Sequence, residues 1–575
     1  MKRKINVFSF IILIAIVFFS FFRVYKLGQI PASLFSDEVD IGYQIKSLLS
    51  TGKDYQGHFL PLQLHSFSDV RTALPIYTTA LVSLVPGISI DLAIRLTPVI
   101  FSILGIIGIY LFTNSIFSLY GLFDKQSFID PGLLSAFILS AFPWHFTYSR
   151  TGFELSMLFA FFVFGLFFLI KHLQSDKIIH LILAFCCLSF LPLIYSTAKL
   201  ALLLLPLLFL TLPGFIKNIQ TKSPLKIFIV FLFIPLVIVI LNGGASQRFS
   251  EIAIFTDPTI PTQINYLRQL DLGKNLVIGS SPSISSKIAH NKPLSIVTSF
   301  SKNLFGPIST SFLFSAGDPN LRHSVPGWGM ALKIFALFSL IGIYIALTKN
   351  KKQFLLLLLV LVLLSIVPSA LTRDGATHSS RTFLLILPFV LISTLGLYLS
   401  SSKKIAFAIL LMVMLFESSL YFHDYFFHYP ILSERDFHAG LKELVKETNK
   451  YPDRTVVLTR TYEPSLIFFL YYTNFPPEKA HLLIPQGKLT ESISGNLNLE
   501  GVKISGTNIY LAGVLDSDTE NPLLLKDAIY VLPAHQAAKF IKNGLATKMS
   551  DIFLPSGELM YTVITPIKIP GPNTI

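Results

Sequence analysis

The stretch SLFSDEVDIGYQIK, residues Ser33 to Lys46, decides how this chain is read. Its adjacent acidic pair, Asp37 and Glu38, comes soon after the first long apolar run, so two carboxylates are expected where a first membrane span leaves the bilayer. Ser36 is suited to cap a short helix, with Asp37 and Glu38 in its first turn, where the helix dipole favours the ionised form. Ile41, Ile45, Leu48 and Leu49 then make one apolar stripe suited to lying on a membrane surface, with the carboxylates facing water. An ionised carboxylate there can take a proton from a hydroxyl or hold a cation. The bland alternative is a helix-capping acidic pair without chemistry, and the rest of the chain has to decide.

Composition sets the class. Of 575 residues, 52% are hydrophobic and only 14% charged, with 53 Phe, whereas soluble domains carry about 25% charged residues. The expectation is a mainly α, polytopic helical membrane protein. The formal charge of +14 would suggest nucleic acid in a soluble protein; here it is tested against loop position, and no nucleic-acid partner is expected. The only two cysteines, Cys186 and Cys187, sit inside an apolar run and read as small packing residues. The N-terminal MKRK followed by a long apolar stretch reads as an uncleaved signal anchor with a cytoplasmic N-terminus. No phosphate-cradling glycine cluster indicates a soluble nucleotide.

Apolar runs near 20 residues long place spans at roughly 5–22, 92–112, 131–149, 152–170, 178–196, 199–216, 226–241, 330–348, 353–371, 382–400 and 405–421, about eleven in all. Pro192, Pro206 and Pro213 make the stretch 178–216 the least regular. With the N-terminus inside, the cytoplasmic segments carry fourteen Lys/Arg against three acids, Asp124, Asp130 and Asp176, the positive-inside pattern. Arg23 and Lys26 run against it. The outer side then holds a first loop, 23–91, a long loop, 242–329, and a tail of soluble composition. Within the first loop, LPIYTTALVSLVPG is too short to span and reads as an interfacial helix. The tail, 431–575, has strand-like TVVLT, NIYLAG and AIYVLP between helical patterns, so an extracytoplasmic α/β domain is expected beside a membrane domain of residues 1–430.

Polar clusters gather at the outer ends of the spans: Asp37 and Glu38; Asp69 and Arg71; Arg95 in DLAIRLTP; Arg150 and Glu154 in WHFTYSRTGFE; Asp318, Arg322 and His323; and His378 and Arg381 in RDGATHSSRTF. Ionisable groups at membrane depth are costly and normally face a protein-lined cavity. Singly, Arg95 reads as well as a snorkelling side chain, the histidines as solvated loop residues and Asp318 as a turn residue. Together they offer acids to activate an acceptor and several cations to hold a phosphate leaving group.

The order of these elements resembles the GT-C superfamily of membrane glycosyltransferases, in particular the group of protein O-mannosyltransferases and lipid A aminoarabinose transferases. FSDE with Gly42, P-x-Y in LPIYTT, IRLTP ahead of Gly105 and Gly108, PWHFTYSRTGFE and THSSRTFLLILP carry the resemblance, over residues 1 to about 421. It implies a polyprenyl-phosphate-linked sugar as donor and a first-loop acid acting on the acceptor, which maps onto Asp37 with Glu38 in support. The resulting expectation is inverting transfer of a hexosyl or pentosyl group to a hydroxyl of a protein, lipid or glycan at the outer face of the cell membrane. Arg95, Arg150, Arg322, Arg381 and His378 are the candidates for the donor phosphate, and Asp69, Arg71, Glu154, Asp318 and His323 for further substrate contacts. A divalent metal held by Glu38, Asp318, His323 and His378 is open on the residue types, though no spacing is diagnostic. A DSD at Asp516 to Asp518 reads as a surface loop.

A lipid or sugar transporter and a cell-surface glycan polymerase or ligase remain as alternatives. Transporters show paired hydrophobic repeats and mid-span charges, and neither is apparent here. An anchor for the tail needs far fewer spans.

Overall fold

A computed structural model of the chain describes residues 6–67, 70–124, 126–221, 223–241, 252–273, 281–459, 465–492, 501–512 and 527–567. Asp69 and the DSD at 516–518 lie outside the described residues. The chain begins with α1 (Val7–Val24), α2 (Ser36–Thr51), a two-stranded ribbon of β1 (Gln63–His65) and β2 (Val70–Thr72), then α3 (Ala73–Ser83), α4 (Ile90–Leu119), α5 (Pro131–Ser140), α6 (Pro143–Tyr148) and α7 (Leu155–Ser175). Each of the eleven apolar runs has a helical counterpart. Among the described residues seven helices are long and apolar enough to cross a membrane, and Ala198–Thr211 with Phe215–Thr221 is an apolar pair that passes the same test only when its two bent halves are taken together. The other three runs form shorter apolar helices. The protein is a polytopic helical membrane protein.

Proline explains where runs break. Pro143 opens α6 and ends the helix before it, because a residue preceding proline is steered away from helical angles. The pair Ala198–Thr211 and Phe215–Thr221 bends by 98° across Pro213 and Gly214. The stretch containing LPIYTT forms α3, a helix of eleven residues.

Two compact units emerge, and they do not follow chain order. One comprises 1–25, 72–75 and 98–424, the apolar helices. Here helices Ile334–Thr348 and Ile386–Ser400 make the most extensive helix pairing. A Cβ on Gly396 would lie 2.0 Å from the Phe338 carbonyl oxygen, and one on Gly342 would lie 2.2 Å from that of Ile392. The two backbones therefore touch, the small-residue packing expected where lipid supplies no hydrophobic drive. Arg23, fully buried, donates to the carbonyls of Leu139, Ser140 and His145, at 3.5, 3.0 and 3.3 Å. Its charge is thus held by backbone carbonyls at the end of α5 and within α6.

The second unit comprises 26–71, 76–97 and 425–575. Its sheet has seven strands in the order β4-β5-β6-β3-β7-β9-β8. The strands are β3 (Val456–Thr459), β4 (Thr490–Ser492), β5 (Gly501–Ile504), β6 (Ile509–Ala512), β7 (Ile529–Pro533), β8 (Ala546–Phe553) and β9 (Leu559–Pro566). The three strands read from sequence are the parallel centre, β3 lying between β6 and β7. The antiparallel flanks, β4 with β5 and β8 with β9, were not anticipated. Helix Ala534–Lys542 packs on β9 around Ala537 and Phe540.

Within this unit α2 is enclosed by protein. Val39, Tyr43 and Ile45 are fully buried, and Ile41 and Leu48 are 8% and 9% exposed; of the expected surface stripe only Leu49 is open. The helix is therefore buried nearly all round instead of half-sunk in lipid, because Ser465–Tyr472 packs along it. Gly42 is the point of closest approach: a Cβ there would meet the Tyr471 ring at 2.6 Å. Lys46 reaches the same helix end, donating to the Tyr471 carbonyl at 2.7 Å and to Asn474 Oδ1 at 2.6 Å.

Candidate functional site

Ser36 is the first helical residue of α2 and does not supply the cap. Glu38, in the first turn, does so by accepting the Phe35 N–H on Oε2 at 3.2 Å, while the Ser36 N–H donates to His438 Nδ1 at 3.2 Å. The adjacent acids thereby part company. Glu38 is fully buried and meets Arg95 with both oxygens, at 3.2 Å each. Arg95, 2% exposed, also donates to the carbonyls of Leu27 at 3.2 Å, Pro31 at 2.8 Å and Ser33. Those contacts occupy all five guanidinium N–H groups. Arg95 is consequently a buried clamp on the turn from Leu27 to Ser33, with no donor left over for a phosphate.

Asp37, one residue earlier, keeps 45% of its side chain exposed. Arg71 Nη2 donates to its Oδ1 at 2.8 Å, and Arg71 Nε donates to Asp40 Oδ2. Asp40 is held in turn by the Tyr55 hydroxyl at 2.9 Å and the Ser66 hydroxyl at 2.6 Å. Burial and then the Asp40 carboxylate hold the Tyr55 phenol well above its ordinary pKa, so it stays a donor. An Arg bridging two carboxylates fixes the orientation of both. Asp40 was not singled out from sequence. Its spacing of three from Asp37, which puts both on one helix face, was the available signal.

The same unit has a cavity of about 620 Å³, whose lining includes Ser33, Asp91, Arg95, Lys442, Lys446 and Tyr472. Its walls are charged: Lys442 lies 3.4 Å from Asp91, which also takes the Tyr471 hydroxyl.

In the membrane unit the residues after Asp318 and those around His378 come together. Asp318, 4% exposed, accepts the Ser379 N–H and hydroxyl on Oδ2, at 2.9 and 2.8 Å, and the Asn320 N–H on Oδ1 at 3.0 Å. The Tyr148 hydroxyl lies 2.7 Å from His323 Nδ1 and 2.8 Å from Ser379 Oγ. His378 Nδ1 lies 2.8 Å from Ser380 Oγ, which also takes the Tyr195 hydroxyl at 3.0 Å. One ligating atom each from Asp318, His323 and His378 falls within 4.8 Å of the others. These Nδ1 contacts fix the orientation of both imidazole rings and leave Nε2 as the other ring nitrogen of each. Asp318 is therefore more than a turn residue. Tyr148 and Tyr195 were not among the sequence candidates.

The remaining candidates are dispersed in role. Arg150 is fully buried and donates to the Phe22 carbonyl at 2.5 Å. Half-buried Arg381 donates to Thr372 Oγ1 at 2.6 Å, and half-buried Arg322 to its neighbour Asn320 at 3.3 Å. Glu154 immediately precedes α7, its carbonyl accepting the Leu158 N–H at 3.0 Å.

No family model matches the chain, and no curated protein matches it. Among solved structures, the oligosaccharyltransferase AglB of Archaeoglobus fulgidus, in complex with an inhibitory peptide and a dolichol-phosphate, is similar with a TM-score of 0.46 and 12% identity, over 98% of this chain and 75% of that one. The same archaeal enzyme in complex with Zn and sulfate gives a TM-score of 0.44 and 12% identity, over 95% and 72%. ArnT of Cupriavidus metallidurans, bound to undecaprenyl phosphate, gives 0.46 and 10%, over 96% and 97%.

Proposed function

We propose that this chain is a membrane glycosyltransferase that moves a sugar from a polyprenyl-phosphate donor to an acceptor hydroxyl, with inversion, at the outer face of the cell membrane. The observation that carries the reading is the Asp37–Arg71–Asp40 array on α2. It offers a half-exposed carboxylate paired with Arg71, whose orientation is fixed from behind by a second carboxylate, a phenol and a hydroxyl. In the proposed step Asp37 accepts the acceptor proton as the acceptor oxygen bonds to the anomeric carbon and the bond to the lipid phosphate breaks. The transition state carries oxocarbenium character, by analogy with glycoside chemistry. Base assistance of this kind contributes about 10²–10⁴-fold.

Arg95 and Glu38 are given a positioning role, because each is occupied by the other. Arg322, Arg381 and His378 are retained for the charge that builds on the departing phosphate. A divalent ion, if the reaction uses one, is assigned to Asp318, His323 and His378, whose carboxylate and imidazole donors suit a borderline cation; it would supply Lewis acidity toward phosphate oxygens. Glu38 drops out of that ligand set, since both its oxygens face Arg95. The charged cavity of the Asp37-bearing unit suits a polar acceptor. A cytoplasmic N-terminus and an outer C-terminal domain follow from the loop charges.

The test is sugar transfer by purified protein from a synthetic polyprenyl-phosphate sugar, wild type against Asp37→Asn. A loss of about a hundredfold or more in the variant supports the reading. Near-normal turnover by that variant rejects Asp37 as base.

A further inference from the structure

We propose that Asp54, His58 and His65, in the first loop, bind a divalent transition-metal ion of the zinc class. The site is separate from the transfer chemistry above and does not depend on it.

Asp54 is fully buried, and its carboxylate is already anchored by backbone donors: Oδ1 takes the N–H of Gln56 at 3.1 Å and of His58 at 2.8 Å, and Oδ2 that of His65 at 3.2 Å. Two imidazoles then converge on Oδ2, His58 through Nδ1 at 3.0 Å and His65 through Nδ1 at 3.4 Å. Their ring centres are 4.4 Å apart. One ligating atom from each of the three residues lies within 4.8 Å of the others.

The plain alternative is a clamp in which both rings donate an Nδ1–H to the carboxylate. That arrangement asks Oδ2 to accept three donors, one of them at 3.4 Å, beyond the usual range for such a bond. The same distances suit ligands sharing an ion. With bonds of about 2.0–2.1 Å, the edge of a tetrahedral coordination sphere is about 3.3 Å long. Two imidazoles and a carboxylate favour zinc-class ions over magnesium or calcium. The histidine side chains are 52% and 41% exposed, so an ion can arrive from water and complete its sphere with water.

Such an ion would act as a fastener. Tyr55 follows Asp54 and Ser66 follows His65, and those two hydroxyls hold Asp40, the residue that aligns Arg71. The backbone is laced to α2 at the same place, Gln44 donating to the His65 carbonyl at 2.7 Å and accepting the Tyr55 N–H at 3.3 Å. Metal at this point would pin both ends of the segment from 54 to 66.

The experiment uses the full chain, stripped with chelator and titrated with Co²⁺. Wild type is compared with His58→Gln/His65→Gln, with His323→Gln/His378→Gln and with His58→Cys. The first double variant should bind one equivalent fewer than wild type, while the second retains that equivalent. His58→Cys should bind Co²⁺ with a thiolate charge-transfer band, a signature that a hydrogen-bonded clamp does not produce. The exposed rings make these changes tolerable, and a thermal melt of each variant confirms folding. Unchanged stoichiometry in His58→Gln/His65→Gln, or a folded His58→Cys variant without the band, overturns the proposal.

Discussion

Neighbouring carboxylates with opposite surroundings give the sharpest prediction. Asp37 is 45% exposed and joined to Arg71, whereas Glu38 and Arg95 are 0% and 2% exposed and joined to each other. Breaking a buried ion pair by removing one partner costs about 3–5 kcal/mol, because an uncompensated charge stays in the interior; an exposed pair is worth about 0–1 kcal/mol. Glu38→Gln also weakens the acceptor for the Phe35 N–H at the start of α2. For a unit of roughly two hundred residues, at about 2–4 °C per kcal/mol, Glu38→Gln should lower the melting temperature by about 6–20 °C. Asp37→Asn should lower it by no more than about 4 °C while removing about 10²–10⁴-fold of transfer. Intrinsic-fluorescence melts in detergent and transfer assays on the same preparations separate the two. Glu38→Gln melting with wild type, or Asp37→Asn melting as low as Glu38→Gln, would refute the division of labour between these residues.

Gly42→Ala should destabilise by about 1–3 kcal/mol, as overpacking does, because the new methyl meets the Tyr471 ring; in a double-mutant cycle with Tyr471→Leu the two costs should fall short of additive, and strict additivity would remove the explanation. Lys46 is pushed down to about 8 by burial, against the pull of Asp91, so amine acylation followed by peptide mapping should show half-maximal labelling near pH 8, not near the ordinary lysine value of about 10.4. Because the folded pKa is the lower one, the protonated amine opposes folding below pH 8, and its contribution to stability rises between pH 8 and about 10.4; a labelling midpoint near 10 contradicts this. Gly396→Leu should abolish assembly of the membrane unit, measured as loss of monodisperse protein on size exclusion, since its side chain would run into the Phe338 carbonyl; a variant that elutes like wild type refutes the backbone contact.

Periodicity and hydropathy made the helices legible, because a span must be long and apolar whatever it packs against. The centre of the sheet was legible for the same kind of reason: VVL, IYLA and IYVL are β-branched or aromatic runs between turn signals. Partner choice was not legible. Nothing local distinguishes Asp37 from Glu38, yet Glu38 is buried against a residue 57 positions later. Arg95 looked like a phosphate ligand because sequence records a charge and not the three carbonyls that already surround it. Ile41, Ile45 and Leu48 looked like a lipid-facing stripe because an apolar face reads alike whether it meets acyl chains or another helix. That other helix, Ser465–Tyr472, lies more than four hundred residues further on, beyond the reach of any local pattern.

That separation also sets an order of manufacture. Lys46 and the Tyr471 carbonyl it binds are 425 positions apart, which at about 5–20 residues per second puts about 20–85 s of translation between them. Throughout that interval α2 has been made and its carboxylates have their partners up to Arg95, but the helix lacks the cover of Ser465–Tyr472. A chain released before Ser465–Tyr472 is complete would therefore carry its acidic helix uncovered, whatever the state of the apolar helices made before it.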